Sequence, residues 1–371
     1  MLRLNRSGEK NPVDPWLLWI IIALTVVGFL IFLSASVGLL AREGAPFGGI
    51  MGTRVIAVLA GAFALFLASR IHWRVLRRYS LLALLLAFAL TLLVFVPGLG
   101  LEHAGARRWL NVAGFSFQPS EFLKLAIVLY AAAFFSAHRE RMRTFRYGLA
   151  PLIALLAAAA SVLLIQPDTD TFVVLLITLF AIFLVGGGSI RHLSLAALAG
   201  ALALSLLMLS RPYLAERLQT FLDPARDPQG AGYQIQQSLI AIGSGGIFGR
   251  GFGQSVQKFS YLPEPITDSI FAVAAEEFGF VGAVTLVALL LAFLLRGLRT
   301  AARAPDLFSG LTAVGIVILI GASAFMNIAS MLAVIPLSGL PLSFVSHGGT
   351  ALVITLFEAG ILLNISRYQK S

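Results

Sequence analysis

Ten apolar stretches, at about 15–40, 50–69, 79–96, 120–137, 148–166, 171–185, 190–210, 269–295, 308–333 and 349–365, constrain this chain more than any motif in it. A helix that crosses the hydrocarbon core of a bilayer takes about 20 apolar residues. Lipid offers no hydrogen bonds to a bare backbone, so each stretch must be helical. The sixth is short and follows Gln166-Pro167-Asp168 almost at once, which predicts a tight helical hairpin from the fifth and sixth. The expected fold is all-α: a polytopic membrane protein with ten transmembrane helices, a single membrane domain over 1–371, and a large extracytoplasmic loop, about 211–267, between helices 7 and 8. Composition excludes a soluble enzyme, since 58% of residues are hydrophobic and only 12% charged, against about 25% charged in soluble proteins. The first stretch is too long for the apolar core of a cleaved signal peptide, although Ser34-Ala35-Ser36 resembles a cleavage site.

Charge sets the orientation. With the N-terminus in the cytoplasm, 17 of the 27 Lys and Arg fall in cytoplasmic segments, from Arg3, Arg6 and Lys10 to Arg367 and Lys370. Short loops rich in Lys and Arg stay inside, so both termini are expected in the cytoplasm. The net charge of +10 is accounted for in this way, and no nucleic-acid signature accompanies it. The irregular sequence then lies outside, in the loops 97–119, 211–267 and 334–348. Outward loops on a rigid scaffold are where chemistry is expected. The absence of cysteine excludes disulfides and thiolate metal sites.

Ionisable residues within membrane helices are expensive and mark candidate sites. Glu121 and Lys124 stand at the outer start of the fourth span, at a spacing that shares one helix face. They are either a structural ion pair behind Pro119 or a lysine that receives phosphate with Glu121 as its support. Asp268 opens the eighth span, where it is either a helix cap or a general base within reach of an outer-leaflet substrate. Glu276 and Glu277 follow deeper; one is expected at a polar cavity and the other packed on a neighbour. Glu358 is expected to have a buried polar partner. Asp168 and Asp170 mark the break between spans five and six, as turn formers or site residues. His347 is read as a loop histidine in preference to a metal ligand. Gly243-Ser244-Gly245-Gly246 and Gly249-Arg250-Gly251-Phe252-Gly253 offer successive N–H groups that could cradle phosphate, without a nucleotide-binding context. Tyr233 to Ile242 reads as a short amphipathic helix in the outer interface.

Beyond that point the residues resemble a known family. Gly232-Tyr233-Gln234, Gln237-Ser238-Leu239-Ile240-Ala241-Ile242-Gly243-Ser244-Gly245-Gly246, Gly251-Phe252-Gly253-Gln254-Ser255-Val256-Gln257-Lys258, Tyr261-Leu262-Pro263-Glu264 and Thr267-Asp268 occur in the order found in the SEDS peptidoglycan glycosyltransferases, the RodA, FtsW and SpoVE group. Phe117-Gln118-Pro119-Ser120-Glu121-Phe122, Gln166-Pro167-Asp168, Gly348-Gly349 and Leu362-Leu363-Asn364-Ile365-Ser366-Arg367 add to the likeness, which covers nearly the whole chain. The Ser-Val-Gln-Lys run is nearer the FtsW and SpoVE branch. The resemblance implies ten spans and an inverting polymerisation of lipid II at the outer face of the bacterial cytoplasmic membrane, in division or cell-shape maintenance. The donor would be a glycan on undecaprenyl diphosphate, with Asp268 as base. Lys124, Glu121, Arg108, Gln118, Asp168, Glu264 and Ser346 become candidate substrate-binding residues, and a divalent cation (Mg or Mn) a candidate cofactor. The implied partners are a class B penicillin-binding protein transpeptidase and other divisome or elongasome membrane proteins. Four positions depart from the family: Ile266 for a common His, Ser269 for Phe, Thr169-Asp170 for Leu-Gly, and His347 for Tyr. Two rival functions share these features, a lipid II flippase and a non-catalytic scaffold for a penicillin-binding protein.

Overall fold

The computed structural model describes residues 12–43, 47–103, 106–112, 115–210 and 212–369. Arg3, Arg6, Lys10, Arg211 and Lys370 lie outside the described residues. Helices occupy all ten apolar stretches: α1 (Pro15–Glu43), α2 (Phe47–Arg70), α3 (Trp73–Leu92), α4 (Pro119–Ala137), α5 (Ala150–Leu163), α6 (Thr169–Val185), α7 (Ile190–Ser210), α11 (Ile270–Ala302), α12 (Leu307–Met331) and α13 (Gly349–Ser366). Three more lie between α7 and α11: α8 (Pro212–Leu222), α9 (Ala231–Ser244) and α10 (Gln257–Ser260). Among the described residues, eight helices are long and apolar enough to cross a membrane; α6 and the Ile190–Leu202 part of α7 are apolar but shorter.

Burial follows position. The most apolar stretch of α12 is 78% buried inside the protein, whereas that of α2 is only 17% buried. Accordingly α12 packs against α4, α6, α11 and α13 at the centre, while α2 lies outside against α13. Exposed leucines and phenylalanines on α2 and α3, Phe63 and Leu85 among them, are what a helix facing lipid requires.

One end of the bundle is closed by Asp14. It caps α1 through the Trp16 and Leu17 N–H groups, accepts two hydrogen bonds from Arg296 at 2.6 and 2.9 Å, and donates its own N–H to Ser366 Oγ. The start of α1, the end of α11 and the end of α13 therefore share one face. Asp268 and the loop 334–348 lie at the other ends of α11 and α13.

The loop 97–119 is more ordered than its irregular sequence suggests. It holds a three-stranded antiparallel sheet, β1 (Gly100–His103), β2 (Ala106–Val112) and β3 (Phe115–Phe117). Leu110 pairs with Phe117 and Val112 with Phe115, cross-strand apolar pairs of the kind that stabilise short ladders. The strands were not expected because runs this short carry no legible period. Their effect is to fix Arg108 on β2 and to deliver the chain into α4, with Gln118 at its N-cap and Pro119 in the first turn.

The long loop is anchored by a break in α11. Gly279 takes φ +66°, ψ −165°, which interrupts the helix. The Gly-rich stretch fills the gap: Arg250 and Gly251 N–H donate to the carbonyls of Glu276 and Glu277, and Phe280 and Val281 N–H donate to Gly246 and Ile247. A Cβ on Gly249, itself at φ +83°, would stand 2.1 Å from the Glu277 carbonyl oxygen, so only glycine permits this approach. These glycines thus satisfy a broken helix, and the N–H groups of Arg250 and Gly251 are used up. That corrects the phosphate-cradle reading of the stretch. Tyr233 to Ile242 is helical as expected, within α9, which packs on α11 and α12.

Candidate active site

Asp268 is the one acidic group at the N-terminal end of α11 whose carboxylate meets no hydrogen bond or ion pair among the described residues. The helix N-cap is its neighbour Ser269, without a side-chain capping bond, so Asp268 does not cap α11. Its backbone, by contrast, is clamped. Asn327 Nδ2 donates to the Asp268 carbonyl at 2.8 Å, Ser346 Oγ to the Thr267 carbonyl at 2.6 Å, and His347 N–H to the Ile266 carbonyl at 2.7 Å. Gln234 on α9 adds a bond from Nε2 to Ser269 Oγ at 3.0 Å. Three consecutive carbonyls are thereby fixed while the side chain beyond them stays free and half-buried.

The clamps have their own support. Arg54, buried in α2, donates to the carbonyls of Phe344, Val345 and Ser346 at 3.2, 2.9 and 2.7 Å. Its guanidinium also lies 4.7 Å from the centre of the Phe32 ring, on which His347 stacks. Asn327 bridges the Asp268 and Leu340 carbonyls with one amide nitrogen. Neither residue was singled out from sequence. Arg54 was findable, being a charge inside an apolar span; Asn327 carried no local signal.

Around Asp268 stand Glu264 on its own turn, Asp170 at the start of α6, Arg108 on β2 and Arg217 on α8. Burial, reinforced by the negative charges of Glu264 and Asp170, pushes the Asp268 carboxyl up to about 7, against the opposing pull of Arg108 and Arg217. Glu264 occupies the left-handed region at φ +48° and accepts from Thr267 Oγ1 at 2.7 Å, a conformation that costs a non-glycine residue about 1–2 kcal/mol. Asp170 accepts from Arg217 at 3.1 and 3.2 Å and from Gly339 N–H at 3.1 Å.

The expected binding residues divide between this cluster and a second one. Asp168 is buried with Oδ1 3.8 Å from Arg108, and burial raises its carboxyl above the usual range despite that arginine. Arg108 itself donates to the carbonyls of Gln166 and Pro167. Ser346 spends its hydroxyl proton on the Thr267 carbonyl and accepts from Leu342 N–H, which ties the backbone beside Asp268 to the loop before α13. Gln118 bonds Ser120 and, through its N–H, Thr350. Lys124 and Glu121 form a buried pair at 2.9 Å in the inner cluster. They line, with Glu358, Ser323, Ser343 and Thr355, a small cavity with about 20 Å³ open to water, enough for a water molecule. His347 lies away from any ligand set, and burial, then Arg54, lowers its basicity. Among the described residues no group of three or more His, Asp or Glu is arranged to hold a metal ion.

Glu276 and Glu277 are both buried and hydrogen-bonded. Glu276 accepts from Ser255 Oγ, Val256 N–H and Gln257 N–H at 2.5, 3.0 and 3.3 Å, and Glu277 from Lys258 Nζ and Ser34 Oγ, both at 2.6 Å. Both carboxylates tie the long loop to the broken helix.

Comparison with known proteins bears on the whole arrangement. A family model described as "Cell cycle protein", FtsW/RodA/SpoVE, matches residues 15–371. Stage V sporulation protein E of Bacillus subtilis (strain 168) is 41% identical over 310 residues, 84% of this chain and 85% of the relative. A probable peptidoglycan glycosyltransferase FtsW of Geobacter sp. (strain M18) is 35% identical, over 95% of this chain and 96% of its own. Among solved structures, a chain of "Structural coordination of polymerization and crosslinking by a peptidoglycan synthase complex" superposes with a TM-score of 0.79 at 29% identity, covering 96% of this chain and 99% of that one. The rod shape determining protein RodA of Thermus thermophilus gives 0.71 at 28% identity, covering 96% and 98%. With matches over nearly its full length, this multi-pass membrane chain belongs to the FtsW/RodA/SpoVE family.

Proposed function

We propose that this protein polymerises peptidoglycan glycan strands from lipid II at the outer face of the cytoplasmic membrane. The reading rests on Asp268: a carboxylate without partners, on a backbone clamped at three successive carbonyls, with its carboxyl at about 7. A general base works best when its pKa lies near the working pH. In the reaction, the acceptor 4-hydroxyl oxygen bonds to the anomeric carbon of the donor. Its proton passes to Asp268. The bond from that carbon to the diphosphate oxygen breaks, and the electron pair leaves with undecaprenyl diphosphate. Displacement from the opposite side inverts the carbon and needs no covalent enzyme intermediate.

Lys124 keeps a proposed role toward the diphosphate, with Glu121 as its support. The cavity before it admits water only, so a diphosphate reaches the ammonium through movement of the loop 341–346. A cytoplasmic side for both termini is part of the same proposal, supported by the common face of the start of α1 and the ends of α11 and α13 and by Arg296, Arg299 and Arg303 near it. A penicillin-binding transpeptidase is the proposed partner, in keeping with the synthase complex to which the neighbour of known structure belongs.

The test is polymer formation from labelled lipid II by the purified protein in detergent, with and without that partner. Glycan strands from wild type and none from Asp268→Asn are expected. Transport of lipid II across vesicles without polymer would reinstate the flippase reading.

A further inference from the structure

Two arginines reach the cluster around Asp268, and they are occupied differently. Arg108 donates from Nε to the Gln166 carbonyl and from Nη2 to the Pro167 carbonyl, while Nη1 lies 3.8 Å from Asp168. Nε and Nη2 each give a bond to the turn between α5 and α6, and Nη1 stands at ion-pair distance from the aspartate of the same turn. Arg217 uses one nitrogen: Nη1 donates to both oxygens of Asp170, at 3.1 and 3.2 Å. Among the described residues its Nε and Nη2 meet no hydrogen-bond acceptor, and its side chain is 31% exposed.

The pair is also tied to the proposed base. Asp170 Oδ2 accepts from Gly339 N–H at 3.1 Å. A Cβ placed on Gly339 would stand 3.9 Å from Asp170 Oδ2 and 3.8 Å from Asp268 Oδ2, so the two carboxylates flank one glycine. Arg217 is therefore held beside the reacting position by a single edge of its guanidinium, with the other edge open. A planar fork of N–H donors fits paired phosphate oxygens.

We propose that Arg217 binds the diphosphate of the lipid-linked substrate through Nε and Nη2, and that Asp170 is the positioning carboxylate that keeps it there. This rests on the glycosyl-transfer reading above. As the bond to the anomeric carbon breaks, the charge delivered to the diphosphate oxygen falls on the open edge of Arg217. The Nε–Nη2 edge of Arg108, by contrast, is already bonded to the Gln166 and Pro167 carbonyls.

Binding measured without turnover tests the assignment, in an Asp268→Asn background, with undecaprenyl diphosphate and undecaprenyl monophosphate as probes. Arg217→Gln should weaken the diphosphate by about ten- to a hundredfold, the scale of one or two charge-assisted hydrogen bonds, and the monophosphate much less. Arg217→Lys should recover part of the loss, and Asp170→Asn, whose amide oxygen still accepts from Nη1 but carries no charge, should weaken the diphosphate by less than Arg217→Gln does. The exchange variant Asp170→Arg/Arg217→Asp restores the ion pair but removes the fork from its place. A latch between α6 and α8 predicts that this exchange rescues binding, whereas a diphosphate-binding Arg217 predicts that it does not. Rescue by the exchange, or unchanged diphosphate affinity in Arg217→Gln with its melting temperature retained, overturns the proposal. The two readings fail separately: wild type that binds the diphosphate yet makes no polymer removes glycosyl transfer and leaves Arg217 as a diphosphate site.

Discussion

Asp268 and the pair Glu276 and Glu277 belong to one stretch of chain, separated by about two helical turns, yet they live under opposite conditions. Each glutamate is buried and saturated, with donors from Ser255, Val256, Gln257, Lys258 and Ser34. Asp268 has its backbone held and its carboxylate free. A carboxylate taken out of water is tolerated when donors replace the water. The glutamates meet that condition and hold a loop in place. Asp268 does not meet it, and its unmet demand appears as raised proton affinity, which is what a base needs. Full hydrogen bonding therefore marks structure here, and a positioned but unpartnered carboxylate marks chemistry.

The largest expected effect separates the two groups by activity. Asp268→Asn keeps the shape and removes the negative charge, so polymerisation should fall by about 10²–10⁴-fold, the contribution of a positioned base. The fold should be unchanged, because the side chain caps nothing. The wild-type rate should rise with pH through about 7 and level off as Asp268 loses its proton. Activity of Asp268→Asn within a few-fold of wild type, or a rate flat from pH 5.5 to 8.5, removes it from the mechanism.

The glutamates should fail in the other way. Lys258→Met leaves Glu277 buried with one donor fewer and without its counter-charge. Removing one member of a buried pair costs about 3–5 kcal/mol, so a sharply lower melting temperature and poor recovery from the membrane are expected. Lys258→Met/Glu277→Leu should regain part of the stability, since no charge is stranded. A Lys258→Met protein that melts like wild type but has lost activity would place this pair in the chemistry after all.

A smaller effect sits between the two. Asn327→Leu removes the amide that joins the Asp268 and Leu340 carbonyls. Losing a neutral hydrogen bond to a buried carbonyl costs about 1–3 kcal/mol, and here part of that loss should appear as a lower kcat. If kcat and melting temperature both stay at wild-type values, the clamp on Asp268 is not needed.

The sequence made the helices legible and left their meeting points hidden. Apolar length alone located ten helices, since each stretch reports its own surroundings. The break at Gly279 escaped notice because hydropathy is blind to φ: Phe278, Phe280 and Val281 continue the apolar pattern across it. Asp268, Lys124, Glu121 and Asp168 stood out as charges at span ends. The contacts that hold the site together did not, because Arg54 meets Ser346 and Arg108 meets Gln166 across long stretches of chain, and no local pattern encodes such contacts. Asp170 was visible as a departure from the family, but its significance depends on Arg217, which lies on a loop helix with no motif of its own.

The smallest effect is the most direct check on the contrast, because it runs against activity. Asp268 in the folded protein holds its proton up to about 7, against an ordinary 3.8. Well below pH 3.8 both folded and unfolded chains carry the proton, and the residue costs nothing. As the pH rises from about 4 to 7 the unfolded chain releases its proton first, so the folded state is progressively disfavoured; above that the penalty is constant. Asn at this position carries no such penalty. Asp268→Asn should therefore melt at a higher temperature than wild type at pH 8 and at nearly the same temperature near pH 4. The shift should be modest, since a half-exposed carboxylate is partly screened by water. Glu277→Gln, which takes a charged acceptor away from Lys258 and Ser34, should instead melt below wild type at pH 8. Thermal unfolding of the three proteins in detergent at both pH values decides the matter. An equal gap between Asp268→Asn and wild type at pH 4 and pH 8 would show that shape, and not an unmet charge, distinguishes Asp268 from its buried neighbours.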